Sequence, residues 1–347
     1  MTKNIFVKSC FIACFQLICL QLTIAQQKPH YTQYVLNNFA LNPALSGIEN
    51  YTDIKLAHRH QWVGFDGAPV TSYLTLNIPL GKKDYKTTAT SFDIEGTNPL
   101  GERYWENYTA SPAHHGLGLQ FFNDKIGPFS DVSLKATYAY HMPLNQKTNL
   151  AAGIALGVGQ ISLNSNKLFF GNDFPVDPSV ASSGVLNQKR INVDAGLWLY
   201  SADYFAGVSV LEILPQKIDF SGNIAKLTDG KWVPHIFATA GYRFMVSEDI
   251  NAVPSVMVKY INPIPLQVEA NLKLQYQNLL WVGGTYRHKY GFAAFAGMNV
   301  LNTVQVSYAY DYTTTRLNTV SKGTHEIMLG FIIGNKFSGE TCPKNVW

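Results

Sequence analysis

His325 and Glu326 open like a zinc-protease motif, in which two histidines four residues apart on a helix hold the metal and the glutamate acts as base. Leu329 stands where the second histidine is required, so the ligand set fails. On a strand the two side chains would also point to opposite faces. The other histidine clusters are His58-Arg59-His60 and His114-His115. Only His58 and His60 would share a strand face, and neither has a carboxylate nearby to complete a site. Gly116-Leu117-Gly118 has part of a dinucleotide loop but lacks the third glycine and a following helix, so it is strand glycine. No serine sits in a nucleophile elbow. A triad assembled only in space, as in an outer-membrane esterase or acyltransferase, would escape a linear reading, but no residue pattern points to one. The expectation is therefore no catalytic residue, no metal and no cofactor.

Cysteine usage agrees. Cys10, Cys14 and Cys19 lie in an N-terminal stretch with the three parts of a secretory signal: Lys3 and Lys8, an apolar run, then Thr23 and Ala25 at cleavage positions. Residues 1–25 are thus expected to be removed, leaving about 320 residues and Cys342 as the sole thiol. The formal charge of +4 would fall to about +2, which gives no reason to expect a nucleic-acid partner.

The elements that would position any site are strands. Charged residues are 14% of the chain, well under the roughly 25% usual for soluble domains. Aromatics are 13%, and no apolar run beyond the signal reaches the length of a spanning helix. Such an exported chain is either a transmembrane barrel or a secreted soluble all-β protein. Period-two alternation favours the barrel. Val304, Val306, Tyr308, Tyr310 and Tyr312 oppose Gln305, Ser307, Ala309 and Asp311, and residues 131–141 and 271–276 repeat the design. Segments of about ten alternating residues cross a bilayer on tilted strands. The reading is an all-β transmembrane antiparallel β-barrel of about fourteen strands, within a range of about twelve to sixteen. Strands start near Tyr51, Val70, His115, Ser130, Asn149, Arg190, Tyr204, His235, Ile250, Gln267, Leu279, Gly291, Thr303 and His325. The small face of Gly153, Ala155, Gly157 and Gly159 suits a crowded, curved wall.

Connections sort by length. After the fifth strand, long links at 164–189, 212–234 and 313–324 occupy alternate positions with short ones between them, as extracellular loops alternate with periplasmic turns. This places both termini in the periplasm. It divides the chain into residues 26–50, a periplasmic or lumen segment; 51–333, the barrel; and 334–347, a periplasmic tail. Residues 82–113 break the alternation and read as a periplasmic insertion rather than a hidden hairpin, because Asn98-Pro99-Leu100-Gly101 and Ser111-Pro112 are loop sequence.

Two further segments stand out. Tyr31-Thr32-Gln33-Tyr34, Asn37 and Leu41-Asn42-Pro43-Ala44-Leu45-Ser46-Gly47 form a compact non-strand stretch. Gln61-Trp62-Val63-Gly64-Phe65-Asp66-Gly67-Ala68-Pro69 joins the first two strands through a glycine- and proline-defined turn, with Trp62 large enough to anchor it. An ordinary hairpin with an interfacial tryptophan has the same features.

Together with Asn123-Asp124-Lys125-Ile126-Gly127-Pro128, Tyr138-Ala139-Tyr140, Gly323-Thr324-His325-Glu326-Ile327 and Cys342-Pro343, these segments resemble the PorP/SprF family in order and spacing. Gln61–Pro69 is the specific element. The resemblance implies an outer-membrane, non-enzymatic component of type IX secretion and gliding in Bacteroidota. Its partners would be the periplasmic ring or a lipoprotein, and the C-terminal domain of a large secreted adhesin, with outer-membrane lipid around the wall. The 82–113 segment departs from the family pattern. Candidate docking residues are Trp62, Gly64, Phe65, Asp66, Gly67 and Pro69, and the N-terminal motif residues are Gln33, Tyr34, Asn42, Pro43 and Gly47. A diffusion porin or small-solute transporter is the alternative.

Overall fold

The computed structural model describes residues 32–82, 109–168, 184–218, 231–247, 249–276, 279–300 and 303–334. The expected signal, the tail and most of the 82–113 segment, with its Tyr85, Tyr104, Trp105 and Tyr108, lie outside these residues.

Fifteen strand segments form one antiparallel sheet: β1 Thr52–His60, β2 Val70–Leu80, β3 His114–Ile126, β4 Phe129–Asn145, β5 Thr148–Asn164, β6 Val185–Tyr200, β7 Tyr204–Leu211, β8 His235–Tyr242, β9 Phe244–Met245, β10 Ile250–Ile261, β11 Ile264–Tyr276, β12 Leu280–Arg287, β13 Gly291–Val300, β14 Val304–Thr313 and β15 Thr324–Ile333. β9 continues β8 beyond an interruption at Arg243, and both pair with β10. The wall therefore has fourteen strands. β1 pairs with β15 from Thr52↔Ile333 to His60↔His325, which closes the ring. Closure leaves no sheet edge to face hydrocarbon, where an unpaired N–H or C=O would cost several kcal/mol.

Alternation sets the two faces. On β14, Tyr308, Tyr310 and Tyr312 point outward while Ser307, Ala309 and Asp311 are buried. On β11, Leu272, Leu274 and Tyr276 face out, and Asn271, Lys273 and Gln275 face in. Outward aromatics gather at both ends of the wall: Tyr242, Phe244 and Tyr276 at one, and Tyr260, Tyr286, Phe292 and Tyr312 at the other. Amphipathic rings at both membrane surfaces are the girdles of an outer-membrane barrel.

The links that follow β1, β5, β7 and β14 gather at one end of the barrel, here the long-loop end. Three tight links, 127–128, 262–263 and 288–290, share it. The strand expected from Arg190 begins five residues earlier, at Val185, because residues 185–190 extend the ladder with β5 as far as Asn164↔Val185. At seventeen, seventeen and sixteen residues, β4, β5 and β6 exceed the ten or so that a bilayer needs, so this side of the wall stands above its neighbours.

The lumen is not empty. Residues 32–50 run through it as three single turns of 3-10 helix, Thr32–Leu36, Asn38–Ala40 and Pro43–Leu45, and every one of these residues is buried.

Candidate functional site

Two structures meet at the long-loop end: the buried N-terminal segment, and the loop at residues 61–69 above it. Non-sheet backbone inside a barrel must find partners for its polar groups. Here the wall supplies them. Gln120 Nε2 donates to Phe39 O at 2.6 Å, Ser209 Oγ to Leu41 O at 2.6 Å and Lys82 Nζ to Ile48 O at 2.6 Å. His141 Nε2 donates to Ser46 O at 2.8 Å, which leaves its Nδ1 to accept from the Tyr200 hydroxyl at 2.9 Å. The segment's own side chains reach back to the wall. Asn37 donates to Thr75 Oγ1 at 3.0 Å, and Asn42 donates to Leu197 O at 3.0 Å.

Asn42 has a second task. Its Oδ1 accepts from Ala44 N at 3.0 Å and caps the short turn that Pro43, with its fixed φ, begins. Gly47 then adopts φ +72°, and a Cβ there would lie 2.5 Å from Gly116 Cα. The wall is equally tight: a Cβ on Gly153 would meet Ala44 at 2.5 Å, and one on Gly116 would overlap the Ser46 carbonyl. These inward glycines serve close approach of the segment, a stronger reason than curvature alone.

The tightest fixation is ionic. Glu326 accepts from Thr32 N at 2.9 Å and from Arg59 at 2.8 Å, and Gln33 Nε2 donates to Glu326 O at 3.0 Å. Arg59 also pairs with Asp311 at 2.7 Å. Arg287 pairs with Asp311 at 2.6 Å and Glu269 at 3.0 Å. Thr32 Oγ1 donates to Asp311 and accepts from both arginines. Four charged groups, from β1, β12, β14 and β15, thus converge on Thr32, and Glu269 of β11 backs one of them, Arg287. Tyr34 accepts from the Asn271 amide. A second cluster lies across the lumen. Lys135 pairs with Asp194 at 2.6 Å, and Arg190 grips Asp131 through two bonds of 2.9 Å and stacks over Trp232 at 3.9 Å. Trp232 in turn packs with Ile161 and Ile218, so the link after β7 is tied to the wall.

The loop at 61–69 is knitted to three neighbours. Val63 N donates to Gly323 O at 2.9 Å and Lys322 N to Val63 O at 2.7 Å, a small ladder between loops. Gly127 N donates to Gly67 O at 2.9 Å, and Gln61 N to Pro69 O at 2.9 Å. Trp62 adopts φ +47°, uncommon for a bulky residue. Its backbone N–H donates to Thr324 Oγ1 at 3.1 Å and its indole to Tyr290 OH at 3.2 Å. Gly64 and Gly67, at φ +96° and +72°, complete the turn. Pro69 is buried at its foot. Of the candidate docking residues, Trp62 therefore fastens the loop, while Phe65, 47% exposed, and Asp66 stand out from it.

The structure joins what the sequence presents apart. Gln33 meets Glu326, and the segments Gln61–Pro69, Asn123–Pro128 and Gly323–Ile327 adjoin one another at the long-loop end. The histidines do not form a site: His325 faces outward to the Tyr308 hydroxyl while Glu326 faces in, and His58 bonds Ser72 on the outer face. Among the described residues no group of three potential metal ligands occurs. Sequence reading passed over Arg59, Asp311, Arg287 and Glu269, which lie on four different strands.

A closed fourteen-strand barrel with two aromatic girdles, an apolar outer wall and a lumen occupied by its own N-terminal segment defines an outer-membrane β-barrel protein. Residues 23–331 match the family of the type IX secretion system membrane protein PorP/SprF, and the chain belongs to that family. It is thus an outer-membrane component of type IX secretion. No protein with a curated description matches it. Similar solved structures include the Pseudomonas putida toluene transporter TodX, with 10% identity, 89% of this chain and 99% of that one covered and a TM-score of 0.47. The Ralstonia pickettii toluene transporter TbuX shows 8% identity, coverage of 85% and 92%, and a TM-score of 0.47. The Acinetobacter baumannii outer membrane protein Omp33 shows 9%, 83% and 100%, and 0.43.

Proposed function

We propose that this barrel is a non-enzymatic docking component, which holds either the C-terminal domain of a large secreted adhesin or subunits of the periplasmic ring beside the translocon. The filled lumen carries the reading. A diffusion porin needs an aqueous path, and this lumen is crossed by residues 32–50, all of them buried and several held by wall side chains, among them Thr32 by Glu326 and Phe39 by Gln120. What the barrel offers instead is a rigid exposed feature, the Phe65-Asp66 tip of a loop held at both shoulders. In this reading the long-loop end faces the exterior and the short turns face the periplasm, the usual distribution in such barrels. Aromatics on preorganised turns act as interface anchors because little entropy is lost on binding.

Phe65→Ala combined with Asp66→Ala is the test. Truncating an anchor costs about 2 kcal/mol, which weakens binding roughly thirtyfold. The double variant is expected to remain a heat-modifiable barrel and to lose co-purification of an adhesin C-terminal domain or a translocon subunit in mild detergent. Undiminished recovery of the partner would remove the loop from the interface.

A further inference from the structure

The outer wall is not uniformly filled. A hollow of about 560 Å³ opens on its membrane face across β4, β5, β6 and β7. Two outward rows build it. One runs Tyr140, Ala152, Leu197 and Val208, in register across the four strands; the next runs Tyr138, Ile154, Ala195 and Val210. Ala152 and Ala195 are diagonal neighbours and carry only methyl groups, so they make a floor between the tyrosines of β4 and the valines of β7. Behind that floor, Gly153 and Gly196 face inward against Ala44 and Asn42 of the lumen segment. The small residues on the inner side let the segment approach; the small residues on the outer side leave the trough.

The chemistry of the lining is hydrocarbon. The Tyr138 hydroxyl is bonded to His115 Nδ1 at 2.7 Å, and Ser209 turns inward to Leu41 O at 2.6 Å. Within a bilayer no hydrophobic force selects one apolar ligand over another. Contact does: atoms lining a void lose their dispersion partners outright, and a chain lying in a trough is touched on three sides instead of one. The occupant that matches an apolar hollow open to lipid is a flexible alkyl chain.

We propose that this hollow is a binding site for one acyl chain of a membrane phospholipid, held longer there than elsewhere on the wall. The site is distinct from the lumen segment and from the 61–69 loop.

The full-length barrel in phosphatidylethanolamine nanodiscs, with a trace of phosphatidylethanolamine bearing a diazirine acyl chain, tests this. Irradiation should place adducts on residues 195–210 in about fivefold excess over the equally exposed wall of β12 to β14, a ratio equivalent to about 1 kcal/mol. Ala152→Phe or Ala195→Phe should abolish the excess, whereas Ala294→Phe, outward on β13, should leave it intact. Adducts spread evenly around the wild-type wall would mean annular lipid only and overturn the proposal, as would an excess that survives both filling variants. If the filling variants do not fold, the wild-type distribution alone decides.

Discussion

Replacing Glu326 with methionine removes the acceptor of Thr32 N, at 2.9 Å, and one of the two carboxylates on Arg59, at 2.8 Å, in a place with no solvent exposure. Breaking a buried ion pair by deleting one partner costs about 3–5 kcal/mol, because the other charge is left uncompensated. Asp311 still pairs with Arg59 at 2.7 Å, which argues for the lower bound, about 3 kcal/mol. The orphaned Thr32 N–H adds about 1 kcal/mol. The loss falls on the seating of the lumen segment as well as on the wall. Arg59 and Glu326 both belong to the wall, so only the Thr32 contact bears on seating, and at 1.4 kcal/mol per decade its loss of about 1 kcal/mol raises the unseated population roughly fivefold. Two readouts follow. Glu326→Met should lower the urea midpoint of the detergent-solubilised barrel, and it should produce transient openings in planar bilayers where the wild type is silent. Because Arg59 and Glu326 are in direct contact, the loss in Arg59→Met with Glu326→Met should differ from the sum of the two single losses by about 2 kcal/mol. A Glu326→Met barrel with wild-type stability and no openings would refute the view that this cluster holds the segment in place.

Gly116→Val should overpack the seat of Ser46 and Gly47, destabilise the closed form by about 1–3 kcal/mol and raise liposome swelling while the barrel stays heat-modifiable. An unchanged swelling rate would show that the segment shifts without leaving. For orientation, an engineered cysteine replacing Leu214, in the link after β7, is expected to react with an impermeant maleimide on intact cells, and one replacing Ser247 is not; the reverse pattern inverts the topology. Shortening residues 82–113 to a tight turn should leave a folded barrel and reduce secretion if that segment meets a periplasmic partner. Wild-type secretion would make it a neutral insertion.

The wall was legible in the sequence because period-two alternation is a local signal. All fourteen strands start within a few residues of their expected places except β6. Its first residues, Val185 to Lys189, mix apolar and polar side chains on both faces because they rise above the lipid, so the alternation that marks a membrane strand fades there. The contents of the lumen were not legible. Inward charges such as Lys135, Asp194 and Asp311 suit an open aqueous pore as well as a filled one, and only the third dimension distinguishes them. Glu326 reads locally as half of a failed zinc motif; its partners Thr32 and Arg59 are hundreds of positions away. One signal was available. Gly116, Gly118 and Gly153 sit mid-strand on the inward face, where no turn requires glycine, and such positions mark close approach by another backbone or side chain.

The central claim is that this barrel docks a protein and does not conduct. Liposome swelling and partner recovery measured on one preparation of the native protein, purified in mild detergent, test it directly. The account predicts a recovered secretion-system or adhesin partner and no solute flux; flux without any recovered partner would contradict it.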